Sequence, residues 1–471
     1  MSSHLLGLRA ATAVGAHVSV HRGNWVPAIG SLRRSLPTPP TVSELPLLPL
    51  LAPPLSEATT LLRRVEKAGS SVPSAARRAF EIFAEDAATA QLSFYARWLT
   101  HRGFEAHLAS HRVIHEDLAR RPSIAATPLS RPLFIVGLPR TGTTLLHHLL
   151  ALDPNSQCLR AYELMRPARP IDSLLPAALV DWFDWARLAL LLRVFAVAAP
   201  QWPHHHELNA GSPEECLFAL QRSMPLDTHY RAKSRLLRMY AEESEIPEGA
   251  YSNYRVFLQQ VQARRGSVGQ HYVLKGQLLH LQYLDALRCT FPEARIVWTH
   301  RPPAEVVGSL CSLRRSQQEI FTKGPVNLAE VGQGVLDYLS GALEQAQKAL
   351  AKPAQTTVEA PVMHVHYEAL VKDPIRTVEE LYMSWGWEVS PAHRAAMEAY
   401  LTRSLDSRAK KGKDRAHYHD AKLERYGLSL EKVSAHFAVQ GVEHLASVAT
   451  TAFHNTSGVV PHSKVSYSKA L

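Results

Sequence analysis

Leu133-Phe-Ile-Val-Gly-Leu-Pro-Arg-Thr-Gly-Thr-Thr144 is the stretch that decides the fold. Its four leading apolar residues, bounded by turn formers, predict a short buried strand. Gly137 and Gly142 follow, and a helix-like stretch covers residues 143–152. A strand entering a helix through a glycine-rich turn leaves the first helical N–H groups without intrahelical partners, ready to donate to an anion. The helix dipole adds about 0.3–2 kcal/mol of attraction for negative charge. Thr143 and Thr144 add hydroxyl donors. The glycine spacing is that of the nucleoside triphosphatase loop G-x-x-x-x-G-K-[ST], but Thr143 occupies the lysine position and the cation is Arg140, inside the turn. That lysine normally reaches the β- and γ-phosphates, so its absence argues against ATP or GTP hydrolysis.

Outward from the loop, short apolar runs at residues 271–274, 295–299 and 362–367 predict further strands, with helical patterns between them. Strands alternating with helices imply an α/β fold with a mostly parallel central sheet flanked by helices. Residues 61–118 carry apolar side chains at three- and four-residue spacing, which predicts a helical N-terminal subdomain over 56–130. Residues 131–440 then hold the α/β domain and 441–471 a polar tail.

The chain has 471 residues, with 52 Lys+Arg against 42 Asp+Glu, a net charge of +10. Such a balance suits an anionic partner without choosing among nucleic acid, lipid headgroups and a phosphorylated small molecule. Half of it lies early. Residues 1–130 hold 14 Lys/Arg and 9 Asp/Glu, a difference of +5. Residues 1–36 are basic and contain no acid, as in an organellar transit peptide or an unstructured basic tail. Seven prolines over 37–54 read as a linker, so 1–55 form a tail outside the folded body.

The four cysteines match no zinc spacing and read as free thiols of a reducing compartment. No uncharged apolar run approaches the roughly 18 residues of a membrane span. The longest candidate, 179–202, is broken by Asp181, Asp184, Arg187 and Arg193. It predicts an amphipathic helix beside a substrate cleft or in peripheral contact with a membrane. Residues 401–425 hold eight Lys/Arg against four acids and read as a basic loop.

Pro139-Arg-Thr-Gly-Thr-Thr144 resembles the first signature of the sulfotransferases that use 3′-phosphoadenosine-5′-phosphosulfate (PAPS), P-[KR]-[ST]-G-T-[ST]. In that family the loop grips the 5′-phosphosulfate, which assigns Pro139, Arg140, Thr141, Gly142, Thr143 and Thr144 to the donor. The family reads the 3′-phosphate with an Arg at a strand end and a Ser eight residues later. Arg301 and Ser309 have that spacing, and Pro303 suits a first helical position. Tyr272-Val-Leu-Lys-Gly-Gln277 is similar to the W-x-L-K-x-P segment of the bacterial-type branch, which makes Lys275 a second cation near the transferring sulfonyl. Gln277 stands where proline is usual. His366-Tyr-Glu-Ala-Leu-Val-Lys-Asp-Pro374 resembles Y-E-D-L-x-x-x-P, with Ala369 replacing the acid, and places Tyr367 near the nucleotide or in packing. Lys410-Lys-Gly-Lys413 is similar to a late R-K-G segment, giving Lys411 and Gly412 a role over the 3′-phosphate or leaving them a solvated charge run. The resemblance covers residues 61–426 and implies the P-loop-like sulfotransferase fold.

A base for the acceptor has three candidates within Trp202-Pro-His-His-His-Glu-Leu-Asn-Ala-Gly-Ser-Pro-Glu-Glu-Cys216: Glu214, Glu215 and His206. The segment resembles the branch's H-x-x-x-x-x-x-P-E-E. It also reads as a helix start, with Ser212 as N-cap, Pro213 first and Glu215 closing a capping box. The adjacent histidines 204–206 do not have ligand spacing, so no metal is expected.

The expected function is sulfonyl transfer from PAPS to a hydroxyl or amine, releasing 3′,5′-ADP. A nucleotide or nucleoside kinase with a degenerate loop and a non-catalytic nucleotide-binding scaffold are the alternatives. The acceptor is a small molecule or glycan, no nucleic acid is expected, and the oligomeric state is not legible. The compartment is cytoplasmic, or organellar if the first residues target the chain.

Overall fold

β1 (Leu133–Gly137) is the middle strand of a five-stranded, all-parallel sheet, and every residue in it is buried. The computed structural model describes residues 77–79, 81–83, 85, 92–165, 175–199, 208–224, 245–266, 271–352, 362–418 and 421–439. The other strands are β2 (Ser156–Gln157), β3 (His271–Gly276), β4 (Arg295–His300) and β5 (Met363–His366), in the order β2-β3-β1-β4-β5. Leu133 lies opposite Val273 and Arg295, and Gly137 opposite Thr299. A Cβ at Gly137, where φ is +142°, would lie 2.6 Å from the Thr299 carbonyl oxygen, so only glycine fits this register.

The main helices are α1 (Phe94–Arg120), α2 (Thr143–Leu150), α3 (Ala177–Ala198), α4 (Glu245–Arg265), α5 (Gln277–Gln282), α6 (Pro303–Phe321), α7 (Leu328–Ala351), α8 (Tyr367–Lys372), α9 (Pro374–Ser384) and α10 (Pro391–Tyr418). They cover both faces of the sheet. Leu133, Ile135, Val273 and Val297 pack against α2 and α9 through Leu146, Leu149, Val378 and Leu381. Phe134, Val136, Leu274 and Trp298 pack on the other side against α4 to α7 through Leu258, Leu281, Leu310 and Leu339. Burial on two faces is why the strands read as continuous apolar runs instead of alternating. Truncating any of these side chains to alanine costs about 2–5 kcal/mol. Ala96 and Ile114 of α1 join the second cluster, and Ser93 caps α1 by accepting from the Ala96 N–H at 3.2 Å.

Because the strands are parallel, their carboxyl ends share one edge. Four of them run into helices there: β1 into α2, β3 into α5, β4 into α6 and β5 into α8. Ligands of open α/β sheets bind outside this edge.

Two expectations need correction. Residues 401–418, read as a basic loop, continue α10 as helix. Their leucine, alanine, lysine and arginine are good helix formers, and a charge count carries no period. The helix expected over 179–202 is observed as α3, but Trp182, Phe183, Leu190, Val194 and Val197 are each more than half exposed on it. Its outward face is apolar, because polar residues are too few to cover it. Residues 1–76 and 440–471, with the expected tail and linker, lie outside the described residues.

Candidate functional site

The β1–α2 turn is built from two left-handed residues, Arg140 (φ +70°) and Gly142 (φ +86°). Gly142 is the N-cap of α2, and no side chain caps that end. A Cβ on Gly142 would lie 2.9 Å from Leu370 Cδ2 and 3.2 Å from Tyr367 Cδ2. Thr141 is fully buried; its Oγ1 donates to the Leu138 carbonyl at 2.6 Å and hydrogen-bonds Thr299 Oγ1 at 2.6 Å. Thr141 therefore fastens the turn to β4. Pro139 and Arg140 are half-buried, Thr143 is buried and Thr144 is exposed at the start of α2.

The second predicted anion group meets this turn. Arg140 Nε donates to Ser309 Oγ on α6 at 3.0 Å, across 169 residues of sequence. Arg301, just past β4, donates through Nη1 to the Arg140 carbonyl at 3.0 Å. Its guanidinium stands 4.2 Å above the Tyr367 ring and pairs with Glu305 at 2.7 Å. Tyr367, at the start of α8, thus sits between Gly142 and Arg301. Arg140, Gly142, Arg301, Ser309 and Tyr367 form one cluster at the carboxyl edge.

Lys275 lies on the other side of the turn, at the end of β3. Its ammonium group, on a residue only 1% exposed, donates to Thr144 Oγ1 at 3.2 Å and pairs with Glu215 Oε1 at 3.2 Å. Gln277 Nε2 donates to the same carboxylate oxygen at 2.6 Å. The helix start expected at Ser212 is not formed. Pro213 makes a single antiparallel bridge with Arg160, and the helical turn begins only at Leu217. Tertiary pairing has drawn Pro213 into a bridge and Glu215 onto Lys275, so Glu215 is not a capping residue. Glu214 is buried and accepts from the Glu215 N–H through Oε1 at 2.9 Å. Cys216 follows, with its N–H donated to the Lys275 carbonyl at 2.7 Å, which ties the acidic segment to β3. Burial pushes the Cys216 thiol up to about 12, so it is not a nucleophile.

Two buried histidines lie near the site. His147 on α2 donates through Nε2 to the Val273 carbonyl at 3.3 Å, and burial, then Lys275, holds its pKa well below 6.5. His280 on α5 packs against Gly276 and hydrogen-bonds the Tyr251 hydroxyl through Nδ1 at 2.8 Å; burial lowers it to about 3. Both are neutral supports at ordinary pH.

His206 lies outside the described residues. Lys411 and Gly412 fall on α10, beyond the part whose side chains are described. Sequence reasoning missed Thr299, the anchor of Thr141, and Gln277 as the partner of Glu215. The replacement of proline at 277 was the available signal for the second. Thr299 had none, since its role depends on the register of β1 against β4.

The donor set of the edge fits a polyanionic nucleotide: three cations, an uncapped helix end and hydroxyls, with the approach to Gly142 closed to any side chain. A family model described as "Sulfotransferase family" matches residues 132–391, more than half of the chain. The fold is similar to the crystal structure of a sulfotransferase from Mycobacterium tuberculosis, with 25% identity and a TM-score of 0.63 over 82% of this chain and 99% of that one. It is also similar in fold to a sulfotransferase from Mycobacterium avium, at 22% identity and a TM-score of 0.63, covering 82% of this chain and 95% of that one. No match is found among curated protein sequences.

Proposed function

Because the chain belongs to the sulfotransferase family, we propose that it transfers the sulfonyl group of PAPS to a hydroxyl or amine of a small-molecule acceptor, releasing 3′,5′-ADP. The observation that carries the reading is the hydrogen-bonded unit of Arg140, Ser309 and Arg301. It joins the loop cation to the strand-end Arg–Ser pair, as a donor with phosphate at both its 5′ and 3′ ends requires. PAPS supplies an activated sulfonyl whose transfer leaves negative charge on a phosphate oxygen.

The residues divide the work as follows. The N–H groups at the start of α2, with Thr143 and Thr144, receive the 5′ end. Arg301 and Ser309 receive the 3′-phosphate, and Arg's planar fork suits bidentate bonding to its oxygens. Tyr367 holds the Arg301 guanidinium by a cation–π contact. Arg140 and Lys275 stabilise the charge that develops during transfer; one such preorganised donor is worth about 3–4 kcal/mol. Lys275 touches the loop through Thr144 and the acidic segment through Glu215, so it stands between donor and acceptor sides. Glu215 keeps some solvent exposure and takes the acceptor proton, which adds about 10²–10⁴-fold. Glu214, which accepts from the Glu215 backbone, positions it.

Incubation of the chain with radiolabelled PAPS and a panel of hydroxyl and amine acceptors tests this. Label should reach an acceptor, and Arg140→Ala should abolish the transfer while the fold persists. Undiminished transfer by Arg140→Ala would remove the loop from the mechanism.

A further inference from the structure

α3 presents an outward stripe with a defined chemistry. Leu179, Trp182, Phe183, Leu190, Val194 and Val197 are 42–64% exposed. At 3.6 residues per turn they fall within an arc of about 120°. The charged residues of the helix are sorted by sign. Arg193 lies inside the stripe and Arg187 at its edge, both exposed, whereas Asp184 is buried on the opposite face and Asp181 is half-buried. The charges of α3 in the exposed class are therefore both positive.

Below the stripe α3 is anchored. Leu188 packs with Ala161 and Ala210, and the Ala161 and Tyr162 N–H groups donate to the Ser212 and Ala210 carbonyls. Trp185 lies beside Gly211, whose Cβ position is 3.3 Å from Trp185 Nε1. The helix thus rests on the segment that leads into Glu214 and Glu215.

We propose that α3 is a docking surface for an anionic lipid bilayer, lying in the plane of the interface. Among the described residues no helix is long and apolar enough to cross a membrane, so the helix rests on the bilayer instead of spanning it. An outward apolar stripe with Trp and Phe, and arginines in and beside it whose stems extend toward headgroups, suits a helix lying in the interface while its inner face stays packed on the protein. The positive-only exposed charge complements anionic headgroups. The same arrangement disfavours a second copy of the chain: two-fold pairing about the centre of the stripe brings Arg187 toward its own counterpart and sets Arg193 in an apolar contact against the other copy's Phe183. The nearness of α3 to Gly211 sets the acidic segment beside the membrane.

The test is co-sedimentation of the full chain with vesicles of phosphatidylcholine, with and without phosphatidylglycerol. The chain should bind the anionic vesicles, and added salt should weaken binding. Trp182→Glu with Phe183→Glu should weaken it by roughly tenfold or more, and Arg187→Glu with Arg193→Glu should remove the preference for phosphatidylglycerol. Val194→Gln with Val197→Gln, a milder pair, should lower binding with an unchanged thermal unfolding transition. Absence of vesicle binding by the unmodified chain would overturn the proposal. So would equal binding by the Val194/Val197 pair, or a dimer in vesicle-free solution that the same substitutions dissociate.

Discussion

Gln277 Nε2 donates to Glu215 Oε1 at 2.6 Å from a backbone held at φ +40°, a left-handed conformation unusual for a residue with a side chain. The amide fixes the carboxylate against Lys275, and the strained turn between β3 and α5 aims the amide. Position 277 is where the related segment usually has proline, which has no amide to donate.

Gln277→Ala keeps the strain and loses the bond, so stability should fall by about 1.5–3 kcal/mol, the worth of a hydrogen bond to a charged group. Gln277→Gly also loses the bond but relieves roughly 1 kcal/mol of strain. The two variants should differ in thermal stability yet lose transfer activity equally, mainly in kcat. Equal stability with unequal activity would show that the amide does not act through Glu215.

Ser309 and Arg301 make a prediction that separates the two ends of the nucleotide. Ser309→Ala and Arg301→Ala should weaken 3′,5′-ADP binding by roughly tenfold or more, since each removes a donor to a charged group. Neither should change the affinity for 5′-AMP, which lacks the 3′-phosphate, by as much. Calorimetric titration of both nucleotides measures the difference. Equal losses for the two would move the pair away from the 3′-phosphate.

What could be read from the sequence followed burial and local geometry. Residues 133–136 declared a strand because both faces of β1 are covered, and the loop declared its donors because glycine spacing and a helix start are local facts. That Arg301 and Ser309 would meet the loop was legible from their resemblance to the family's strand-end Arg and following Ser, not from any local pattern alone. Ser212–Glu215 misled for the converse reason. Its pattern satisfies every local rule for a helix start, yet the bridge to Arg160 and the buried Lys275 amine decide its shape. The Thr141–Thr299 anchor depended on strand register, which no local pattern carries. On α3 the apolar residues were visible, but not which of them would face outward.

The pH dependence of stability should reflect the buried histidines. Burial is the first cause that lowers His147 well below 6.5, His280 to about 3 and His271 to about 4. In the unfolded chain these groups titrate near 6.5, so below that pH the unfolded state binds more protons than the folded one. Their contribution is complete above about pH 6.5 and is lost as pH falls toward the folded values. Thermal melts across this range should show Tm dropping on acidification. His280→Asn, which keeps a polar atom for Tyr251, should flatten the drop. An acid limb of unchanged steepness in that variant would assign the loss to other groups.

Competitive binding of 3′,5′-ADP against ATP with Mg²⁺ tests the central claim most directly, since Thr143 replaces the triphosphatase lysine while Arg301 and Ser309 are the groups proposed to receive a 3′-phosphate. The chain should bind 3′,5′-ADP by at least about tenfold over ATP, and Arg301→Ala should erase most of that preference. Tighter binding of ATP in the presence of Mg²⁺ would contradict the sulfotransferase account and favour a kinase.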